Sequence, residues 1–147
     1  IDELIEIGLE SVKALHSDFN PIVHKNVAEI PPLQNALNMF SDIFLIIFEN
    51  IYRHSGLYDG GQVVINASID RGVLLVNVEN ELGLSEATLN WTKTKLEKIE
   101  QKIYEVGYRD ELRTEGGTGF FKLRKLADPT GTVKKPGVLS GRRVRKI

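Results

Sequence analysis

The sequence predicts an α+β domain in which amphipathic helices cover a short sheet rich in Val and Ile. Three observations carry that expectation. Apolar residues recur at helical spacing over residues 1–15 and again over 33–53. Two Val/Ile-rich runs, 62–68 and 73–78, flank Asp70-Arg71-Gly72, a turn signal, and read as a β-hairpin. Near-continuous apolar strands of this kind need at least one covered face. At 147 residues, 41% hydrophobic and 27% charged, the chain has room for one domain with a sizeable core and an ordinary globular composition.

Taken in order, Ile1, Leu4, Ile5, Leu9, Val12 and Leu15 form the apolar stripe of an opening helix, stopped by Asp18, Asn20 and Pro21. Residues 22–27 fit a short strand. Pro31 and Pro32 introduce a helix over about 33–53, because a proline in the first helical turn forfeits no hydrogen bond. Residues 43–48 are apolar on every side, so this helix is expected to be the most deeply buried, with Gly56 as its stop. After the hairpin, Ser85 caps a long helix in which Leu89, Leu96, Ile99, Ile103 and Val106 fall at heptad-like spacing. About three heptads are too few for a coiled coil, and a single apolar stripe packed on the body is the simpler expectation. Gly107 ends it. Residues 120–127 read as a last helix, broken by Pro129 and Gly131.

Composition excludes several functions. There are no cysteines, hence no disulfide framework and no thiolate metal site. The longest apolar run, 43–48, falls far short of the roughly 20 residues of a membrane span. No secretory signal pattern opens the chain, and a cytoplasmic location without membrane contact is expected. The chain begins with Ile rather than Met, so other domains of a longer protein are expected beside it. Charge is uneven: residues 1–121 carry ten basic and nineteen acidic side chains, whereas nine Lys/Arg and one acid, Asp128, follow. Residues 129–147 are therefore expected to be a basic tail or short terminal strands, 141–147 among them. A basic tail gives a weak indication of non-specific nucleic-acid binding through Lys134, Lys135, Arg142, Arg143, Arg145 and Lys146.

Three constellations can carry chemistry. In Glu49-Asn50-Ile51-Tyr52-Arg53-His54-Ser55, the residues Asn50, Arg53 and His54 stand at i, i+3 and i+4 near the end of the buried helix. An amide oxygen, a guanidinium and an imidazole together suit magnesium and phosphate. Gly116-Gly117-Thr118-Gly119 opens a helix, where glycines let backbone N–H groups approach a phosphate. Neither a Walker A loop nor a Rossmann fingerprint is present. Asn77 to Glu81, with Leu82-Gly83 after them, place polar side chains at a strand end.

The order of these pieces resembles that of the GHKL ATPases, and the closest likeness is to the histidine-kinase branch. The resemblance spans 33–127, within a domain over 1–128. It implies the Bergerat fold: a two-layer α/β sandwich with a mixed, mostly antiparallel sheet covered on one face by helices, here with an extra N-terminal helix and a helical lid between Gly83 and Gly116. It also implies ATP and Mg²⁺ as cofactors. Asn50 would hold the metal, Arg53 the phosphates, His54 the nucleotide, Asn80 the adenine, and Gly116, Gly117, Thr118 and Gly119 the phosphates.

The sequence departs from the pattern at several positions. Asn80 replaces the adenine-binding Asp, Leu82 displaces a glycine of the first glycine motif, and Phe121 replaces the last glycine of the second. Ile46 stands where ATPase branches carry a general-base Glu, and no phospho-acceptor motif surrounds His16, so His16 and His24 are expected to be surface or structural residues. The alternative is a degenerate domain without nucleotide turnover that serves as a dimerisation or protein-interaction module.

Overall fold

The computed structural model describes residues 1–30, 37–103 and 119–127. They form α1 (Asp2–Leu15), β1 (Asn20–Val27), α2 (Leu37–Ser55), β2 (Asp59–Asp70), β3 (Val73–Asn80), α3 (Glu86–Ile103) and α4 (Gly119–Ala127). One compact unit contains Ile1–Gly83, and a second spans Leu84–Leu139.

In the first unit the three strands lie in the order β1-β2-β3. β1 runs parallel to β2, and β2 runs antiparallel to β3. The sheet is thus mixed, with one pair of each kind among the described strands. α2 makes the long connection that a parallel pair requires. The hairpin is tighter than the sequence suggested: Asp70 pairs with Val73, which leaves a two-residue turn. Arg71 and Gly72 have φ of 50° and 78°, the left-handed conformations of a type I′ turn.

Alternation along β2 decides which face is covered. Val63, Ile65 and Ala67 are buried, and register places Val23, Val76 and Val78 on the same face. Against it pack Leu4, Ile5, Leu9 and Val12 of α1, with Phe44, Phe48 and Ile51 of α2 and Phe19 from the intervening turn. On the opposite face Asn26 donates to Asn66 at 2.9 Å, and Ile22 and Leu75 are exposed. Helices therefore cover one face of the sheet, the two-layer α/β arrangement expected.

α1 and α2 meet at Gly8. A Cβ on Gly8 would lie 2.6 Å from Phe44 Cβ and 2.9 Å from its carbonyl carbon. Lys25 of β1 fastens the N-terminal end of α1 to the sheet by ion pairs with Asp2 and Glu6.

In the second unit, Ser85 starts α3 as expected: its hydroxyl lies 2.9 Å from that of Thr88, and Leu89 N donates to Ser85 O at 2.9 Å. Leu89, Leu96 and Ile99 are half-buried and Ile103 is buried, consistent with one packed apolar stripe. α4 buries Phe121. The expected strands after Asp128 and the Val106–Gly107 helix end lie outside the described residues. No described helix is long and apolar enough to cross a membrane.

The Gly8 contact yields a direct prediction. Gly8→Ala forces α1 away from backbone atoms of α2, and overpacking of this kind costs about 1–3 kcal/mol. A urea melt is expected to show a lower midpoint with an unchanged slope; an unchanged midpoint would mean that the helices separate freely.

Candidate functional site

The helical repeat divides α2 into stripes. Phe44, Phe48, Ile51 and Ser55 are its four buried residues and fall at i, i+4, i+7 and i+11. Leu45, Glu49 and Tyr52 form the neighbouring stripe on the α1 side. Ile43, Ile47, Asn50 and His54 form the stripe on the other flank. Packing of the aromatic stripe therefore directs Asn50 and His54 away from α1.

Ser55 closes the helix and binds two loops to it. Its buried hydroxyl accepts from Leu57 N and donates to Leu57 O, both at 3.0 Å. Its carbonyl accepts from Gly83 N at 2.8 Å. Gly83 follows the exit of β3, and a Cβ there would lie 2.6 Å from Leu57 Cδ2 and 3.1 Å from Gly56 O. The absence of a side chain at Gly83 thus permits the strand end carrying Asn80 to be tied to the helix end carrying Asn50 and His54. Beyond β3 the ladder continues by one pair, with Glu81 N donating to Gln62 O and Gln62 N to Glu81 Oε2, each at 3.0 Å.

The predicted residues differ in their surroundings. Asn50 is half-buried; its Nδ2 is enclosed and has no hydrogen-bond partner among the described residues. Burying an amide donor unpaired costs about 1–3 kcal/mol. Arg53, with 62% of its side chain exposed, is held by Glu49: Nε donates to Oε1 at 2.7 Å and Nη2 lies 2.6 Å from the same oxygen. His54 is exposed. Asn80 Nδ2 donates to Glu81 O at 2.8 Å, which fixes the amide orientation and leaves Oδ1 as its acceptor end. Gly116, Gly117 and Thr118 lie outside the described residues, and Gly119 is the first residue of α4. Ile46 is half-buried. Phe121 is 4% exposed.

Glu49 and His16 form a feature that motif reading missed. The second carboxylate oxygen of Glu49 lies 3.0 Å from His16 Nε2, and the His16 ring stacks on Tyr52 at 3.9 Å. Tyr52 in turn donates to Asp18 at 3.2 Å. His16 is structural, as expected, and locks the end of α1 to α2. Partial burial is the largest influence on Glu49 and raises its pKa. The hydrogen bonds from Arg53 and His16 together outweigh it and hold the carboxyl below its ordinary value of 4.5. The sequence signal for this tie was only the Glu49/Arg53 spacing, since His16 is 33 residues away.

Two further observations bear on ligands. No group of three or more His, Asp or Glu among the described residues can enclose a metal ion. An open cavity of about 530 Å³ is lined by Lys13, Ser17, Asp18, Phe19, Asn20 and Asp59, and none of the predicted site residues lines it.

A helix ending in this Asn-x-x-Arg-His group, beside a hairpin in a one-face-covered sheet, defines a histidine-kinase-like domain. Comparison with protein families bears this out: residues 1–136 match the family described as "y4jQ C-terminal putative histidine kinase domain", and the chain belongs to that family. Comparison with curated proteins finds no match.

The Glu49 contacts predict an acid-sensitive share of stability. A carboxyl whose folded pKa is depressed contributes above its unfolded value, and that contribution disappears as pH falls through the folded value. Exposure limits it to about 1 kcal/mol or less. Glu49→Gln is expected to unfold at lower denaturant than the parent at pH 7, and the two midpoints are expected to converge below pH 4.5. A gap that stays constant with pH would show that charge is not the cause.

Proposed function

We propose that this histidine-kinase-like domain binds ATP with Mg²⁺ in the manner of the GHKL superfamily. The observation that carries the reading is the enclosed Nδ2 of Asn50, which has no hydrogen-bond partner among the described residues and lies on the α2 flank opposite α1. No neighbour fixes which end of that amide is donor and which acceptor, so either Nδ2 meets a phosphate oxygen or Oδ1 ligates a metal.

The residues present fit that ligand. A hard cation takes oxygen ligands, and Mg²⁺ is commonly held by one or two protein groups together with substrate phosphates. The single amide of Asn50, with no enclosing acidic cluster among the described residues, suits a metal that arrives with the nucleotide rather than a resident one. Arg53 supplies a guanidinium one turn away, and binding requires it to exchange Glu49 for phosphate. Glu49 then retains His16. His54 lies on the Asn50 stripe and lines the nucleotide. Asn80 offers Oδ1 to the adenine amino group through a neutral hydrogen bond, weaker than one from the Asp usual at this position. Gly116, Gly117, Thr118 and Gly119 would contribute backbone N–H groups to the phosphates at the start of α4.

Water activation is not part of this reading. Ile46 carries no group that can take a proton, so hydrolysis by the ATPase route lacks its base. Bound Mg²⁺ would offset phosphate charge, and transfer would require an acceptor supplied by another domain or by a second copy of the chain. A cytoplasmic setting follows from the ATP requirement. Leu82 and the uncharged Asn80 favour the competing reading, an interaction or dimerisation module that has lost its nucleotide.

Titration calorimetry separates the two. ATP is expected to bind more tightly with Mg²⁺ than without it. Asn50→Ala is expected to lower the Mg·ATP affinity about 10- to 100-fold, the equivalent of a hydrogen bond to a charged group. Equal affinity for the two proteins removes Asn50 from the site. If the parent takes up no ATP at millimolar concentration and its melting temperature does not rise, the interaction-module reading stands instead.

A further inference from the structure

α3 carries three segregated stripes. Leu89, Thr92, Leu96, Ile99 and Ile103 form the packed apolar stripe, and Glu86, Lys93, Glu97 and Glu100 form a largely acidic one. The third holds Trp91, Lys95, Lys98 and, one turn further, Lys102, spaced i, i+4, i+7 and i+11. Trp91 is 64% exposed, and the Lys95 ammonium lies 5.1 Å from its ring centroid.

A solvated helix commonly interleaves its charges. Here like charges are neighbours: Lys95 and Lys98 stand three apart, and Lys98 and Lys102 four apart, an arrangement that destabilises a helix. Lys95 and Lys98 make no ion pair among the described residues, and the glutamates of the helix are turned to another side. Lys95 and Lys98, beside an open indole, complement a linear anion with flat groups.

We infer that this face of α3 binds single-stranded nucleic acid, with an unpaired base stacked on Trp91 and successive phosphates on Lys95 and Lys98. Lys95 already offers a cation over the indole, and an adjacent base adds stacking that every nucleobase can supply. A duplex buries its base faces and offers the indole nothing to stack on. An anionic membrane fits less well, because an interfacial helix must insert an apolar face, and Leu89, Leu96 and Ile99 are half-buried on another side.

Trp91 is the only tryptophan, so the test has a built-in reporter. Oligothymidylate of about a dozen nucleotides is the probe, a length within the usual single-strand footprint. Thymine also avoids the adenine preference of the proposed nucleotide site. At low salt the oligomer is expected to quench Trp91 fluorescence, and a fourfold rise in salt is expected to weaken binding about tenfold, as contacts to two or three phosphates require. By anisotropy of labelled oligomer, Trp91→Ala should weaken binding about 5-fold or more, the loss of one stacked base. Lys95→Gln and Lys98→Gln should each reduce the salt dependence. All three side chains are exposed, and unchanged circular dichroism will confirm that each variant folds. Undiminished binding by Trp91→Ala and Lys98→Gln would overturn the inference and assign the affinity to the basic residues 134–146. Quenching by phosphatidylserine vesicles with none by the oligomer would overturn it in favour of a membrane.

Discussion

Phe44 and Phe48 are completely buried against the sheet, and with Ile51 and Ser55 they fix the rotation of α2 about its own axis. Each full burial of such a ring is worth about 1.5–3 kcal/mol, ample to hold one rotation against others. Much of the candidate site depends on that rotation. It turns Glu49 and Tyr52 towards the end of α1, where His16 receives them, and it sends Asn50 and His54 to the opposite flank. A helix turned by one residue would carry Glu49 to the angular position of Asn50 and place a carboxylate where the amide now stands.

Around this helix the chain closes two further constraints. Gly8 brings α1 into contact with the backbone of α2. Ser55 and Gly83 tie the end of α2 to the segment that follows β3. On the α1 side of α2, Glu49 has two roles. It joins α1 to α2 through His16, and it holds Arg53.

Much of the fold was legible because its signals are local. Helical periodicity located α1 and α2, Val/Ile runs located the hairpin, and Ser85 marked the start of α3. The hairpin turn was read one residue too long, because Arg71 is an uncommon residue at positive φ and Asp70 imitates a turn former. The candidate site was legible only as a string. The spacing of Asn50, Arg53 and His54 was plain, but the flank on which Asn50 and His54 emerge depends on which side of α2 is buried. Contacts between distant positions left no pattern: His16 with Glu49, Gly8 with Phe44, Gly83 with Ser55. The role of Gly83 in particular is steric, and a glycine near a strand end has many commoner explanations.

In the proposed function the enclosed amide of Asn50 meets a phosphate or its metal. The side-chain amide resonances of Asn50 in a ¹⁵N-labelled protein report on that group alone. On addition of Mg·ATP they are expected to move and saturate with the bound fraction, while those of Asn66, on the far face of the sheet, stay in place. If the Asn50 resonances remain unmoved while the protein binds Mg·ATP elsewhere, or does not bind it at all, the account is contradicted.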